Sequence, residues 1–275
     1  RTMTVMQQTA GGYMVGNVHQ GGSFIEVLRA KTLLTELGVR FLSGLVGNVV
    51  IPKATGGTTA YWVNELSQIT ASDLATGQVT LMPKTLAART VVSHKLLKQS
   101  SPDVEAFLRL DMATALANKL EQAAYTGIGA GAEPQGILNT TGVGAVTIGT
   151  SPTFGKIVDM ESEVANDNAL AGNLHYVFSS STTGKLKQTV KASNFPAYIW
   201  EKNEVNGYPA HRTTLLTSGK GIFGNFSDVV VGEWGALDLL LDNSQVASLM
   251  QGFIVAEEVD VAVRHAESFC IGSET

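Results

Sequence analysis

Apolar side chains recur at spacings of three and four over Val104, Phe107, Leu108, Met112, Ala115, Leu116, Leu120, Ala123 and Ala124, the period of one face of an α-helix. Ser101-Pro102-Asp103 stands in front of them. It offers a capping hydroxyl, a proline suited to the first helical position and an acid at the positive end of the helix dipole. The spacing predicts a helix to about Thr126, closed by Gly127. At 1.5 Å per residue its roughly 25 residues span ~37 Å, twice the length of an ordinary helix. Such a rod reads as a spine.

Ahead of the spine the pattern changes twice. Residues 1–22 show no period and are broken by Gly11, Gly12, Gly16, Gly21 and Gly22, which predicts an extended arm. Ser23-Phe24-Ile25-Glu26 is a capping box. It opens a predicted helix with Ile25, Leu28, Leu33, Leu34 and Leu37 on its apolar side, and Gly38 follows as a left-handed cap. From Val46 to Val92 β-branched and aromatic residues dominate. Val49-Val50-Ile51 reads as a strand stopped by Pro52, and Leu86–Val92 as another. Between them a long hairpin is expected, with arms Thr58–Val63 and Val79–Met82 around a polar stretch from Asn64 to Gly77. A lone two-stranded ribbon is marginal in water. This one carries Tyr61, Trp62, Val63, Leu66, Ile69, Leu74, Leu81 and Met82, more apolar surface than two strands hide. It should lie on something else.

Beyond Gly136 strands and helices mix. Strands are expected at Val146–Ile148, His175–Phe178, Tyr198–Trp200, Ile222–Phe223 and Val229–Val231, with helices at Thr153–Asn166 and Thr182–Lys191. Phe253 to Phe269 reads as one long strand, with Val255, Glu257, Val259, Val261 and Val263 on one face and Asp260, Ala262 and Arg264 on the other.

Composition narrows the function classes. The chain has 275 residues, 44% hydrophobic and 16% charged, against about 25% charged in an average soluble domain. That supports a full core in one or two domains. Nineteen basic against 24 acidic residues leave a formal charge of −5, without the basic surface of a dedicated nucleic-acid binder. No apolar run reaches membrane-spanning length. A single cysteine, Cys270, excludes an intrachain disulfide framework and a Cys-based zinc site. The chain begins Arg1-Thr2, which suits either a trimmed chain or a proteolytic product.

Candidate chemistry is thin. Gly155-Lys156, Gly184-Lys185 and Gly219-Lys220 lack both the earlier glycine and the following Ser or Thr of a phosphate loop. Gly127-Ile128-Gly129-Ala130-Gly131 follows a helix rather than a strand, so it reads as a joint and not a dinucleotide cradle. His19, His94, His175, His211 and His265 have no ligand spacing. Glu257 and Glu258 fall on opposite faces of a strand. No catalytic, cofactor or metal residues are expected.

Several strings, in order, resemble the tailed-phage major capsid proteins of the Hong Kong 97-like fold family. They are Glu121 to Gly127 followed by Pro134-Gln135-Gly136-Ile137-Leu138, then Gly207-Tyr208-Pro209, then Gly221-Ile222-Phe223-Gly224-Asn225-Phe226-Ser227, and the Phe253–Phe269 strand. Gln122, Tyr125-Thr126 and Asn225 depart from the family's usual Asp, Phe-Leu and Asp.

The resemblance implies an α+β fold. It implies an N-terminal arm at 1–22, a peripheral domain from 23–53, 86–135 and 246–275 with its spine helix at about 102–126, an extended loop at 54–85 and an axial domain at 136–245. It implies a shell subunit that forms hexamers and pentamers around packaged double-stranded DNA, located in the virion and assembled in the host cytoplasm. Its partners would be its own copies, a portal and a decoration or cement protein, with DNA touched only non-specifically and no membrane. An upstream scaffolding segment would have been removed before Arg1. The loop residues expected to touch neighbours are Tyr61, Trp62, Glu65, Leu66, Ile69, Asp73, Leu74 and Leu81, and the expected hinge is Gly127, Gly129 and Gly131. Some members weld their shells with a lysine–asparagine isopeptide bond assisted by a glutamate. Glu257 stands where that glutamate would, but Leu66–Gln78 holds no lysine and Met250-Gln251 replaces the asparagine region, so no weld is expected. The charge of −5 fits either a lining that repels phosphates or ordinary solubility. An encapsulin-type compartment and an α/β enzyme with an unrecognised site are the competing readings.

Overall fold

The spine buries its expected face. Met112, Leu116, Ala123 and Ala124 are buried, and the first two pack with Val92, Phe253 and Val255 in one apolar cluster. The structure is a computed structural model that describes residues 32–65, 68, 71, 73, 75–93, 95, 104–193, 195–244 and 248–275. The arm, most of the Ser23–Leu37 helix, the Ser101–Asp103 cap and loop residues Leu66, Ile69 and Leu74 lie outside the described residues.

In chain order the elements are β1 (Arg40–Leu42), β2 (Val49–Gly56), β3 (Ala75–Leu81), β4 (Lys84–Ser93) and α1 (Val104–Thr126). Then follow β5 (Gly144–Thr147), α2 (Phe154–Asn166), β6 (Leu174–Ser179), α3 (Ser180–Leu186), β7 (Val190–Ala192), β8 (Phe195–Tyr198), β9 (Trp200–Glu201), β10 (Glu204–Val205) and β11 (Tyr208–Thr213). The chain closes with β12 (Lys220–Asn225), β13 (Val229–Asp242), β14 (Met250–Val263) and β15 (Phe269–Ser273).

Two sheets carry the fold. One has the order β1-β13-β14-β4 and lies under α1. The other has the order β5-β15-β12-β6-β11-β10-β9 and is covered by α2, whose Ile157, Met160 and Val164 are fully buried. A shared core joins them: Leu33, Leu37, Tyr125, Val177, Phe226, Val229, Val261 and Phe269 form one cluster. The segment before β1 is wedged into it, turned by Leu37 N–H to Leu33 O (2.9 Å) and by Gly38 at φ +77°, the left-handed cap the sequence predicts.

Several expected elements move. The hairpin's arms are β2 and β3, not Thr58–Val63 and Val79–Met82: Val49 pairs with Leu81 and Pro52 with Gln78. Pro52 does not stop the strand, because a two-stranded ribbon has an outer edge where a missing N–H costs no ladder bond. The Thr182–Lys191 helix ends at Leu186, since β-branched Thr189 and Val190 favour the extended chain that follows. The Val229–Val231 strand runs on to Asp242. The Phe253–Phe269 strand splits into β14 and β15 around a 3-10 turn at Ala266–Ser268. The split lets the chain leave one sheet for the other. Sheet membership therefore cuts across the boundaries 136–245 and 246–275: β13 belongs with the spine's sheet and β15 with the seven-stranded one.

Candidate functional site

The residues that invite chemistry fall apart from one another. Lys156 pairs with Asp159 at 2.9 Å on α2, and Lys185 with Glu274 at 2.6 Å. Both are engaged in ion pairs, the first within one helix turn and the second with a residue 89 positions on. Glu257 points toward Glu233, and burial followed by that like charge raises its pKa above the ordinary carboxylate value. Cys270 is fully buried, and its thiol is pushed up to about 12, first by desolvation; such a thiol is unreactive. Among the described residues no group of three or more His, Cys, Asp or Glu could hold a metal ion, and no helix is long and apolar enough to cross a membrane.

The hairpin is the distinctive feature. Eight residues of β2 reach about 26 Å at roughly 3.3 Å per residue. Beyond them Tyr61, Trp62 and Val63 are exposed, Trp62 completely. Glu65 and Asp73 are also exposed. None of these side chains enters a core among the described residues. Leu81 differs from the expectation: it is fully buried where β3 enters the body. It anchors the hairpin within its own subunit and offers no surface to a neighbour.

The root is held by a residue that strand alternation placed on the face opposite Val255, Val259 and Val261. Asp260 on β14 is buried; it accepts a hydrogen bond from Met82 N–H at 2.9 Å and pairs with Lys84 Nζ at 3.2 Å. Lys84 also donates to Glu133 O at 3.2 Å, tying root, sheet and the joint after α1 together. An acid set between Val259 and Val261 was the available signal.

That joint is laced by backbone bonds. Gly127 N–H donates to Ala123 O, Gly129 N–H to Pro134 O, and Gly136 N–H to Gly127 O. A β-carbon at Gly127 would meet Pro134 O at 2.2 Å and Ala123 O at 2.6 Å. Gly129 and Gly131 have φ of +70° and +64°. Between root and joint lies a cleft of about 380 Å3 lined by Leu86, Leu120, Ala123, Pro134 and Val259, with Lys84 and Lys119 at its rim.

Two further features escaped the sequence pattern. Glu121 is wholly buried on the spine; its carboxylate accepts from Leu33 N–H at 2.7 Å and Tyr125 O–H at 2.9 Å. At the far end of the long sheet Leu240, Leu241, Leu249 and Met250 are exposed, braced by an Arg89–Asp242 ion pair at 2.5 Å.

Among the described residues nothing resembles a reaction centre; a hairpin with an apolar tip projects from the body. Comparison with known proteins agrees. The Phage capsid family model matches residues 11–273. The major capsid protein of Halomonas phage phiHAP-1 is 31% identical over 267 residues, covering 96% of this chain and 44% of that protein. The major capsid protein of Klebsiella oxytoca phage phiKO2 is 26% identical over 298 residues, covering 96% and 68%. The chain thus spans less than half of the first relative and about two thirds of the second.

Among solved structures, the capsid of a native GTA particle computed with C5 symmetry superposes with a TM-score of 0.80 at 19% identity, covering 98% of each chain. That of Microbacterium phage Oxtober96 gives 0.77 at 14% identity, covering 98% of this chain and 99% of the other. These likenesses show the fold, which is the α+β Hong Kong 97-like one. With the family model spanning nearly the whole sequence, the chain belongs to the phage capsid family.

Proposed function

We propose that this chain is the repeating subunit of a phage head, a major capsid protein that associates with its own copies as hexamers and pentamers to close an icosahedral shell around DNA. One observation carries the reading: a member of the phage capsid family presents Tyr61, Trp62 and Val63 on a hairpin that the described residues leave uncovered. Burying each such anchor on a neighbour is worth roughly 1.5–3 kcal/mol before ordering costs. The division into arm, extended loop, peripheral and axial parts is proposed with the sheets as its guide. The spine's sheet, including β13, is peripheral, and the seven-stranded sheet, including β15, is axial. The hinge is proposed at Gly129 and Gly131, whose left-handed backbone sits in the joint, rather than at Gly127, which is pinned between Ala123 and Pro134.

The shell is held without isopeptide welds in this reading, since Leu66–Gln78 has no lysine to supply one. Denaturing electrophoresis of purified particles checks this: a single subunit band is expected, and a covalent ladder would overturn it. The portal, a decoration protein and the packaged DNA are proposed partners on the same basis. Removal of a segment upstream of Arg1 is tested by mass spectrometry of chains recovered from mature particles.

The decisive experiment is size-exclusion chromatography with negative-stain imaging of the expressed chain. Capsomers or closed particles are expected. A protein that stays monomeric at every concentration would end the reading.

A further inference from the structure

The seven-stranded sheet ends beside a cleft of about 560 Å3, where the exit of α3, strands β9 and β11 and the segment before β1 meet. Its polar lining is Glu36, Lys187, Trp200, Asn203, His211 and Arg212. Lys187 caps the end of α3, Trp200 sits on the edge strand β9, and His211 and Arg212 belong to β11. Asn203 occupies the tight turn between β9 and β10, with φ of +61°.

The unengaged groups of this lining are donors. Trp200 is only 5% exposed, yet its indole Nε1 has no hydrogen-bond partner among the described residues. A group that can only donate has there lost water without gaining an acceptor. The Lys187 ammonium lies 5.7 Å from the centroid of the same ring. Among the described residues no ion pair engages Lys187 or Arg212, and no hydrogen bond engages the Asn203 side-chain amide. The one acid of the lining, Glu36, faces His211 Nδ1 at 3.9 Å, and His211 Nε2 faces His175 Nδ1 at 3.3 Å. Two uncommitted cations, an orphaned indole N–H and an amide thus share one cleft, and its carboxylate already has a partner.

Such a set is complemented by an anion rich in acceptors. A guanidinium takes two oxygens of a phosphate side by side, and an ammonium holds another as a point charge. The volume lies in the range of small-molecule sites. Leu33 and Pro209 on the wall suit the organic part of an ester. A nucleic-acid backbone fits less well, because it follows a continuous basic stripe and this chain carries a net charge of −5.

We propose that the cleft binds a small phosphate ester. Arg212 and Lys187 hold the phosphate, Trp200 Nε1–H and the Asn203 amide donate to its oxygens, and the organic body rests on Leu33 and Pro209. The ester ties β9 and β11 to the segment before β1, so it stabilises the folded chain by mass action. This goes beyond the shell reading, which stands whether or not the cleft is filled.

The test titrates adenosine monophosphate, inorganic phosphate and an oligothymidylate into the full chain by calorimetry. Adenosine monophosphate should bind saturably, shift tryptophan emission with the same midpoint as the heat and raise the melting temperature. Inorganic phosphate should compete more weakly, and the oligothymidylate should not compete. Arg212 and Lys187 are exposed, so their truncation leaves the core intact. Arg212→Ala and Lys187→Ala should each weaken adenosine monophosphate about tenfold or more. Arg212→Lys, which keeps the charge and loses the fork, should fall between parent and Arg212→Ala, and Glu36→Gln should tighten binding. A folded parent that takes up neither adenosine monophosphate nor inorganic phosphate would overturn the site. Heat undiminished in both alanine variants would mark an adventitious ion only and overturn it equally. An oligothymidylate that binds where adenosine monophosphate does not would give the cleft to a nucleic-acid backbone instead.

Discussion

Glu121 places a carboxylate among Leu33, Tyr125 and the end of the spine, where no lysine or arginine answers it among the described contacts. Backbone N–H groups and a phenol do so instead. Burial raises its pKa, against the lowering effect of its bonds to Leu33, Tyr125 and Leu34. The same burial, reinforced by the Glu121 charge, pushes the Tyr125 hydroxyl well above its ordinary value. A raised carboxylate value means that the native state holds the proton more tightly than the unfolded chain. The group's contribution is fullest below about 4.5 and is lost as the pH climbs through the folded value. Glu121→Ala should nevertheless destabilise by about 2 kcal/mol or more, since Leu33 N–H and Tyr125 O–H among its buried donors lose their acceptor; chemical denaturation at pH 7 checks it.

His175 runs the other way. Burial and then His211 lower its pKa below 6.5, with Glu36 partly opposing. Its contribution is therefore present above 6.5 and lost as the pH falls through the folded value. Between pH 7.5 and 5.5 the parent should lose melting temperature more steeply than His175→Gln; parallel slopes would refute this. Asn225, where the family commonly has Asp, accepts from Asn173 N–H at 3.0 Å and donates to Asp228 at 3.1 Å. Asn225→Asp sets two carboxylates face to face. It should cost about 1–3 kcal/mol at neutral pH, with recovery in acid.

At the level of elements, the hairpin's direction is decided at its root and not along its length. Lys84 and Asp260 join β4 to β14, and Met82 N–H joins the same carboxylate. Lys84→Met should raise amide exchange throughout β2 and β3 while exchange in α2 stays as in the parent. Unchanged exchange in the hairpin would show that strand pairing alone holds it. The joint after α1 makes a sharper contrast. Gly127→Ala drives a methyl into Pro134 O and Ala123 O, whereas Gly131 has open space and only its positive φ to strain. The first substitution should lower the melting temperature by several degrees. The second costs about 1–2 kcal/mol at most.

For the whole molecule, stability and assembly are one equilibrium. A chain that leaves Trp62 fully exposed, with Leu240, Leu241, Leu249 and Met250 uncovered at another corner, gains stability from whatever covers them. Its melting temperature should rise with protein concentration. Trp62→Ser should remove much of that dependence and impair particle formation, yet leave far-ultraviolet circular dichroism unchanged, because the side chain contributes nothing to the monomer's core. A variant that unfolds would show that the tip serves its own chain.

The α1 spine was legible from spacing alone, because a long helix announces itself through a local period, and so was the presence of an apolar hairpin near residue 60. Helix α2 and the strands around His175 and Ile222 were legible for the same reason. What the sequence could not show was which strand meets which. Val229–Asp242 and Phe269–Ser273 trade sheets against the expected boundaries, since alternation reveals that a strand is half buried but not by what. Alternation sets Asp260 opposite the valines without saying that it is buried, and spacing says nothing of the burial of Glu121, because a buried charge finds its partners from distant segments, Met82 and Lys84 for one and Leu33 for the other. The local code set the elements and their apolar faces. Only the folded chain, through pairings 88 and 178 residues apart, decided where the hairpin is rooted, which way it projects and which cleft is left open beside it.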